Sequence, residues 1–298
     1  MENDLTFRKM HGLGNDFVII DGRHLTAQTA GLSKDQVRLI SDRRLGLGCD
    51  QLITMERPAT MSADADVYMR ILNNDGSEAE ACGNATRCVA DVIMDELGRD
   101  TVVIETVAGL LKAERLADGQ ISVDMGMPKL EWDQIPLSEE TDTARLPLAI
   151  GPLHHGVAVN VGNPHAVHFV PDIEAVPLER LGPVIEHDEL FPERTNVEAA
   201  QVLNRKTIRM RVWERAVGVT QACGSAACAT LVAAVRRDLT DRKAELLLDG
   251  GCLTLEWREE DDHIVMTGPV TYVAEGTLSP GALGNAKHKP TPKLAASA

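Results

Sequence analysis

Two cysteines in this chain sit in nearly the same local sequence. "ACGNATRC" runs from Ala81 to Cys88, and "ACGSAAC" runs from Ala222 to Cys228. In each, Cys82 or Cys223 is followed by a glycine, a short polar residue and then a helical pattern. A thiol at a helix start meets free backbone N–H groups and the positive end of the helix dipole. Both favour the thiolate and are expected to bring the thiol pKa from about 8.5 toward neutrality. Gly83 and Gly224 let a ligand approach the backbone closely, and Asn84 and Ser225 add short polar groups. A carboxylate held between two such helix starts would receive donors from both. With a carbon acid between the thiols, one thiolate removes a proton from one face and the opposite thiol returns one to the other. The centre inverts with no metal or organic cofactor, provided that oriented donors hold the anion.

The likeness extends upstream. "MRILN" places Asn73 nine positions before Cys82, and "MRVWE" places Glu214 nine positions before Cys223. Further back, "GLGNDFVIID" and "NVGNPHAVHFV" put Asn15 and Asn163 in like places. A strand, a loop, Cys-Gly-polar and a helix thus recur in one order in both halves. Such a repeat points to duplication with a pseudo-twofold axis, which would set the two cysteine loops face to face across a cleft. Taken singly, these residues have plainer readings. A cysteine before a buried helix is usually a small core residue, and that reading is given to Cys49, Cys88, Cys228 and Cys252. Asn15 and Asn163 could simply shape tight turns. Arg215 alone would be an ordinary surface arginine. His165 and His168 lack a third ligand at metal spacing, so no metal site is expected.

Strand-like runs alternate with helical ones. "DFVIID", "VYMRIL", "TVVIET" and "QISVDM" read as strands, while "KDQVRLISDR" and "CVADVIMDELG" read as helices, the second with Gly98 as its C-cap. An acidic, Pro-containing passage at about 131–152 is taken as the domain boundary. "HGVAVNVGNPHAVHFV" then reads as two strands about a turn, "TIRMRVWE" as a strand and "CATLVAAVRRDL" as a central, buried helix. "KAELLLDG", "CLTLEWRE" and "DHIVMTGP" close the series as strands. The expectation is a mixed α/β (α+β) chain of two pseudo-symmetric domains. Residues 1–130 carry Cys82, completed by a last strand at about 268–277. Residues 131–267 carry Cys223, and the polar tail at 278–298 is expected to be disordered.

The bulk composition narrows the partners. The 298 residues carry a formal net charge of −15, which argues against nucleic-acid or anionic-membrane binding. Aromatics make up only 3%, so the core must be built from Val, Ile, Leu, Ala and Met. The polar start "MENDLTFRKM" does not read as a secretory signal, and no apolar run is long enough for a membrane span. Six cysteines outside any zinc-type spacing are then expected as reduced thiols in the cytoplasm.

Six segments in order, "KMHGLGNDFVIIDG", "GLGCDQL", "ILNNDGSEAEACGNATRC", "VGNPHAV", "ERTNVE" and "WERAVGVTQACGSAACA", resemble the diaminopimelate epimerase family, from about Phe7 to Gly276. The resemblance implies a cofactor-independent isomerase that interconverts LL- and meso-diaminopimelate on the route to lysine and peptidoglycan. It implies two similar domains, each a sheet wrapped around a central helix, with the site in the cleft between them. In the LL-to-meso direction Cys223 would accept the proton and Cys82 donate one, with His165 and Glu214 tuning the thiols. Substrate contacts carry over to Asn15, Gln51, Asn73, Gly83, Asn84, Asn163, Asn196, Glu214, Arg215, Gly224 and Ser225. On this reading Arg215 pairs with the distal carboxylate and Glu214 receives the distal ammonium.

The chain departs from the family pattern at Ala216, Val219 and Ala226, where Gly, Glu and Gly are usual, and at Ala274, where an aromatic is common near the end. The last bears on the homodimer that the family implies. Four alternatives stand beside this reading: a proline racemase or hydroxyproline epimerase, a cofactor-free isomerase of similar fold with a carboxylate base, which the presence of both cysteines disfavours, a reversible redox pair of Cys82 and Cys223, and a binding module without catalysis.

Overall fold

The computed structural model describes residues 5–24, 31–58, 64–79 and 82–278. The tail expected to be disordered lies, beyond Leu278, outside the described residues. The chain opens with strands β1 (Leu5–Gly12) and β2 (Asn15–Asp21), helix α1 (Lys34–Ser41), and strands β3 (Gln51–Glu56), β4 (Val67–Asn73) and β5 (Glu78–Ala79). Helix α2 (Gly83–Leu97) follows, then β6 (Thr101–Thr106), β7 (Gly109–Arg115) and β8 (Ile121–Asp124). A short ladder, β9 (Ala149–Ile150) with β10 (Leu153–His154), precedes the second series. That series is β11 (Val157–Asn160), β12 (Pro164–Phe169), α3 (Leu178–Glu186), β13 (Asn196–Asn204), β14 (Thr207–Glu214) and β15 (Gly218–Thr220). It continues with α4 (Gly224–Arg236), β16 (Lys243–Leu248), β17 (Gly251–Trp257) and β18 (Ile264–Gly268), and β19 (Thr271–Leu278) ends it.

The pairings repeat strand for strand. β1–β2 is antiparallel, β2–β3 parallel, β3–β4 and β4–β5 antiparallel, β4–β6 parallel, and β6–β7 and β7–β8 antiparallel. The series from β11 to β18 has the same pattern, with β12–β13 and β14–β16 as its parallel pairs. Two ladders stitch the halves together. β8 pairs with β18, and β19 returns to pair with β1.

Each half wraps a helix. The apolar side chains of β2, β3, β4 and β6 close over α2 through Phe17, Ile53, Met69, Ile71 and Ile104, against Val89 and Ile93. Val167, Met210, Val212, Leu246 and Leu255 close over Leu231 and Val232 of α4 in the same way. α2 ends at Gly98, with φ 65°, as the helix pattern predicts. α4 is nearly all Ala, Leu and Val and is buried on almost every face, which explains why its sequence lacks a polar stripe.

The passage at 131–152 is no loose linker. Ile135, Leu137 and Leu146 are buried against Leu178 and Ile185 of α3. That helix escapes a sequence reading because Pro183 lies inside it.

Leu231 is fully buried at the centre of the second half. Replacing it with Ala is expected to cost about 2–5 kcal/mol of stability, read from denaturant unfolding.

Candidate active site

Cys82 is the N-cap of α2 and Cys223 the N-cap of α4, and neither helix has a side chain capping its first N–H groups. Those donors are therefore free for a thiolate or an anionic ligand. The backbone N–H groups of Asn84 and Ala85 favour the Cys82 thiolate, and that of Ala226 favours the Cys223 thiolate. The two helix starts abut. A Cβ built on Gly224 would lie 3.6 Å from the Gly83 Cα, and Met266 of β18 fills the space against both glycines. A Cβ on Gly83 would fall 2.4 Å from the Met266 methyl, so the approach requires glycine there.

Hydrogen bonds tie the two starts together. Asn84 Nδ2 donates to Asn15 Oδ1 at 3.2 Å and to the carbonyl of Ala222 at 3.3 Å. The Cys82 thiol points to the same Asn15 Oδ1 at 3.8 Å, and Cys223 Sγ lies 3.4 Å from Ser225 Oγ. Asn15 is held from behind by a residue not singled out in the sequence. Its Nδ2 donates to Asp50 at 3.0 Å, and Arg43 bridges Asp50 and Asp16 at 2.7 and 2.6 Å. Lys9 and Arg43 hold the Asp16 carboxyl at about 2 against the opposing effect of burial.

Glu214, at the end of β14, accepts from the Thr220 hydroxyl and lies within hydrogen-bonding reach of Cys223. Burial pushes the Glu214 carboxyl upward. Its neighbour His165 is fully buried, with Nδ1 2.7 Å from Glu198 Oε1 and Nε2 2.8 Å from Asn163 Oδ1. Glu198 was not among the residues picked from "ERTNVE", although a carboxylate alternating inward on a buried strand is a readable signal. His168, three residues along β12 from His165, faces the other side of the strand. Its ring packs where a Cβ on Gly156 would lie, 2.6 Å from Cε1.

Gln51 and Asn73 sit opposite one another in the β3–β4 register, with Gln51 Nε2 donating to Asn73 Oδ1 at 3.0 Å. The repeat puts Asn196 and Glu214 at the matching ends of β13 and β14. Asn196 differs from Gln51 in that both ends of its amide meet backbone groups. Its Nδ2 donates to the carbonyl of Pro164 at 2.9 Å, and its Oδ1 accepts from the Arg215 N–H at 2.9 Å. In this structure it is a strut for Arg215. The Arg215 guanidinium reaches the carbonyl of Glu193 at 3.1 Å and pairs with no carboxylate among the described residues. The next residue, Ala216, has φ 62°, a conformation suited to glycine, and its N–H donates to Glu186 at 3.0 Å.

The family model for diaminopimelate epimerase matches residues 7–131 and 157–273. The chain belongs to the diaminopimelate epimerase family. It is 54% identical to the diaminopimelate epimerase of Rhodospirillum centenum, covering 93% of this chain and 94% of that one. It is 50% identical to that of Acidiphilium cryptum, covering 93% and 97%. Among solved structures, a hydroxyproline epimerase from Agrobacterium vitis shares the fold, with a TM-score of 0.67 at 15% identity over 95% of this chain and 94% of that one. In this diaminopimelate epimerase family member both cysteine-led helix starts and the Glu214-Arg215 pair are present in one constellation.

One expectation from the sequence is corrected. The thiols do not rest near neutrality. Burial pushes Cys82 up to about 11 and Cys223 well above its usual range, and Glu214 raises both further. The helix N–H groups oppose this but do not outweigh desolvation. Cys82 alkylation by iodoacetamide should therefore rise about tenfold per pH unit between about pH 7 and 9, with no plateau, because the thiolate fraction does so below the pKa. Peptide mass spectrometry of Cys82 would read this, and a plateau near pH 7 would contradict it. Relieving the strain with Ala216→Gly should raise stability by up to about 1 kcal/mol, read by thermal melting.

Proposed function

We propose that this chain epimerises LL-2,6-diaminopimelate to meso-diaminopimelate by a two-base mechanism at Cys82 and Cys223. The observation that carries the reading is the contact of the two cysteine-led helix starts, with Gly83 and Gly224 back to back. Residues 1–130 with the last strand, and residues 131–267, supply one half-site each.

The substrate α-carboxylate takes N–H donors from both helix starts. In the LL direction Cys223 gives its proton to Glu214, which lies against it, and its thiolate then takes the α-hydrogen. The C–H bond breaks and an S–H bond forms. The electron pair is left on a carbanion-like centre whose charge spreads into the carboxylate. The Cys82 thiol delivers its proton to the opposite face, forming the new C–H bond and leaving a Cys82 thiolate. The Cys82 thiolate then takes a proton from solvent and Glu214 releases the one it received, which restores the site, and the roles reverse for the meso substrate. Keeping the thiols protonated until a ligand arrives suits this scheme, because one must act as base while the other acts as acid.

Gln51 Oε1 is buried and has no partner among the described residues, so it supplies an acceptor for a substrate ammonium. Arg215, free of carboxylates, supplies a bidentate site for the distal carboxylate. Glu214 is engaged by Thr220 and Cys223, which favours its role beside the thiol over a contact to the distal ammonium. Asn163 orients His165, which stands against Glu198 and near Glu214. No organic cofactor or metal takes part in this scheme. A homodimer is part of the reading, supported by the exposed Tyr272 and Val273 on β19. A cytoplasmic location is part of it too. Among the described residues no helix is long and apolar enough to cross a membrane.

Reduced protein incubated with LL-diaminopimelate in D2O should give meso product with deuterium at the inverted α-carbon. Cys82→Ala and Cys223→Ala should each lower the rate by about 10²–10⁴-fold, the usual worth of a positioned acid or base. A folded, reduced sample that neither exchanges nor epimerises would overturn the assignment.

A further inference from the structure

Among the described residues, the largest fully buried side chain is a cation without a counter-ion. Arg87 lies five residues after Cys82 on α2 and is fully buried. Its guanidinium donates to Asn84 Oδ1 at 2.8 Å and contacts Met266 sulfur at 3.4 Å, and its Nε has no partner. No carboxylate forms an ion pair with it among the described residues. Buried charges are normally paired, since desolvation is costly. Two glycines make room for this one. A Cβ on Gly12 of β1 would lie 3.0 Å from Nη2, and a Cβ on Gly268 of β18 would lie 3.4 Å from Cζ and Nε. The groups whose negative forms would balance the charge are thiols: Cys82 and Cys88 on its own helix, and Cys228 on α4. Cys88 and Cys228 are pushed up to about 12 and stay protonated. Cys82 is the one that caps a helix start and is joined to Arg87 by hydrogen bonds, since Arg87 holds Asn84 and Asn84 shares Asn15 Oδ1 with the Cys82 thiol.

We propose that Arg87 is a positioning residue for proton transfer: a buried counter-charge for the Cys82 thiolate that also locks the Asn84 amide across the two helix starts. The inference rests on the reading of Cys82 as an acid and base. The lock follows from donor direction. Because Asn84 Oδ1 accepts from Arg87, its Nδ2 must face Asn15 Oδ1 and the carbonyl of Ala222, which precedes Cys223. One guanidinium thereby orients groups at both helix starts. The charge balance at Cys82 has two opposing members. Glu214 from β14 disfavours the thiolate, and Arg87 favours it. Met266 of β18 and Gly12 of β1, which also pack on the guanidinium, bring no charge.

The test compares the full-length parent with Arg87→Met, which keeps the volume and removes the charge, and Arg87→Lys, which keeps the charge. Far-ultraviolet circular dichroism checks folding. Iodoacetamide alkylation of Cys82 is followed from pH 6.5 to 10, with kcat and KM for LL-diaminopimelate. Arg87→Met should alkylate about tenfold more slowly at a given pH, an alkaline displacement of about one unit. Its kcat should fall more than its KM changes, and Arg87→Lys should recover most of the alkylation rate. A folded Arg87→Met with the parent's alkylation profile overturns the proposal. So does an Arg87→Lys that is as slow as Arg87→Met, because that outcome makes the role one of shape. Should Arg87→Met fail to fold, Arg87→Gln takes its place with the same expectation. The readouts also separate this inference from the substrate assignment. A parent that does not epimerise diaminopimelate, with the alkylation shift intact, removes the assignment and leaves the counter-charge. An active parent with no shift does the reverse.

Discussion

The constraint on which the structure depends is the head-to-head contact of two helix N-termini. Two positive dipole ends do not attract each other, and each brings unsatisfied N–H groups into a dry interior. The contact holds because the packing around it is apolar and close. Met266 wedges between Gly83 and Gly224, and each helix is enclosed by strands of its own half. The β8–β18 and β19–β1 ladders fix the halves against each other, so the contact cannot relax by sliding. The result is a small volume of positive potential, increased by the unpaired Arg87, that only an anion can neutralise. A thiolate and a substrate carboxylate are such anions.

Desolvation and oriented donors compete at each thiol. Burial disfavours the thiolate, and the carboxylate of Glu214 disfavours it further. The helix N–H groups and Arg87 favour it. In the unliganded site burial wins, and both thiols keep their protons. Glu214 takes part on both sides of this balance. As a buried carboxylate it repels a thiolate, yet it is also the acceptor against which the Cys223 proton sits. The Cys223 thiol proton therefore lies beside a carboxylate that can accept it, and a negative charge on either group disfavours one on the other.

The halves share a backbone but not their polar chemistry. Asn73 and Glu214 occupy matching strand ends, as do Gln51 and Asn196. The first half supports its asparagine with the Asp50, Arg43 and Asp16 ion network. The second supports Asn163 with the buried pair of His165 and Glu198. At the matching strand ends the second half has the Glu214 carboxylate, within reach of Cys223, where the first half has the Asn73 amide. On the proposed scheme Glu214 serves as the proton acceptor for Cys223, a role that the Asn73 amide at the matching strand end cannot fill.

Much of the molecule could be read from the sequence, for a physical reason. The duplication, the two Cys-Gly helix starts and the period-2 strands such as "TIRMRVWE" are local patterns, and local patterns survive in a linear text. Other elements could not be read this way. α3 carries a proline, β13 reads as a continuous buried run, and the passage at 131–152 hides core residues in irregular backbone. The "ERTNVE" segment does not show that the Asn196 amide bonds to the Pro164 carbonyl and the Arg215 N–H, because both partners come from elsewhere in the chain. Nothing local to "NATRC" says that the basic side chain of Arg87 will be closed in. Residue types and their spacing identify the reactive groups and show that they come in two copies. How much water each group loses depends on packing between distant strands and helices, and at these thiols desolvation sets the sign of the pKa shift.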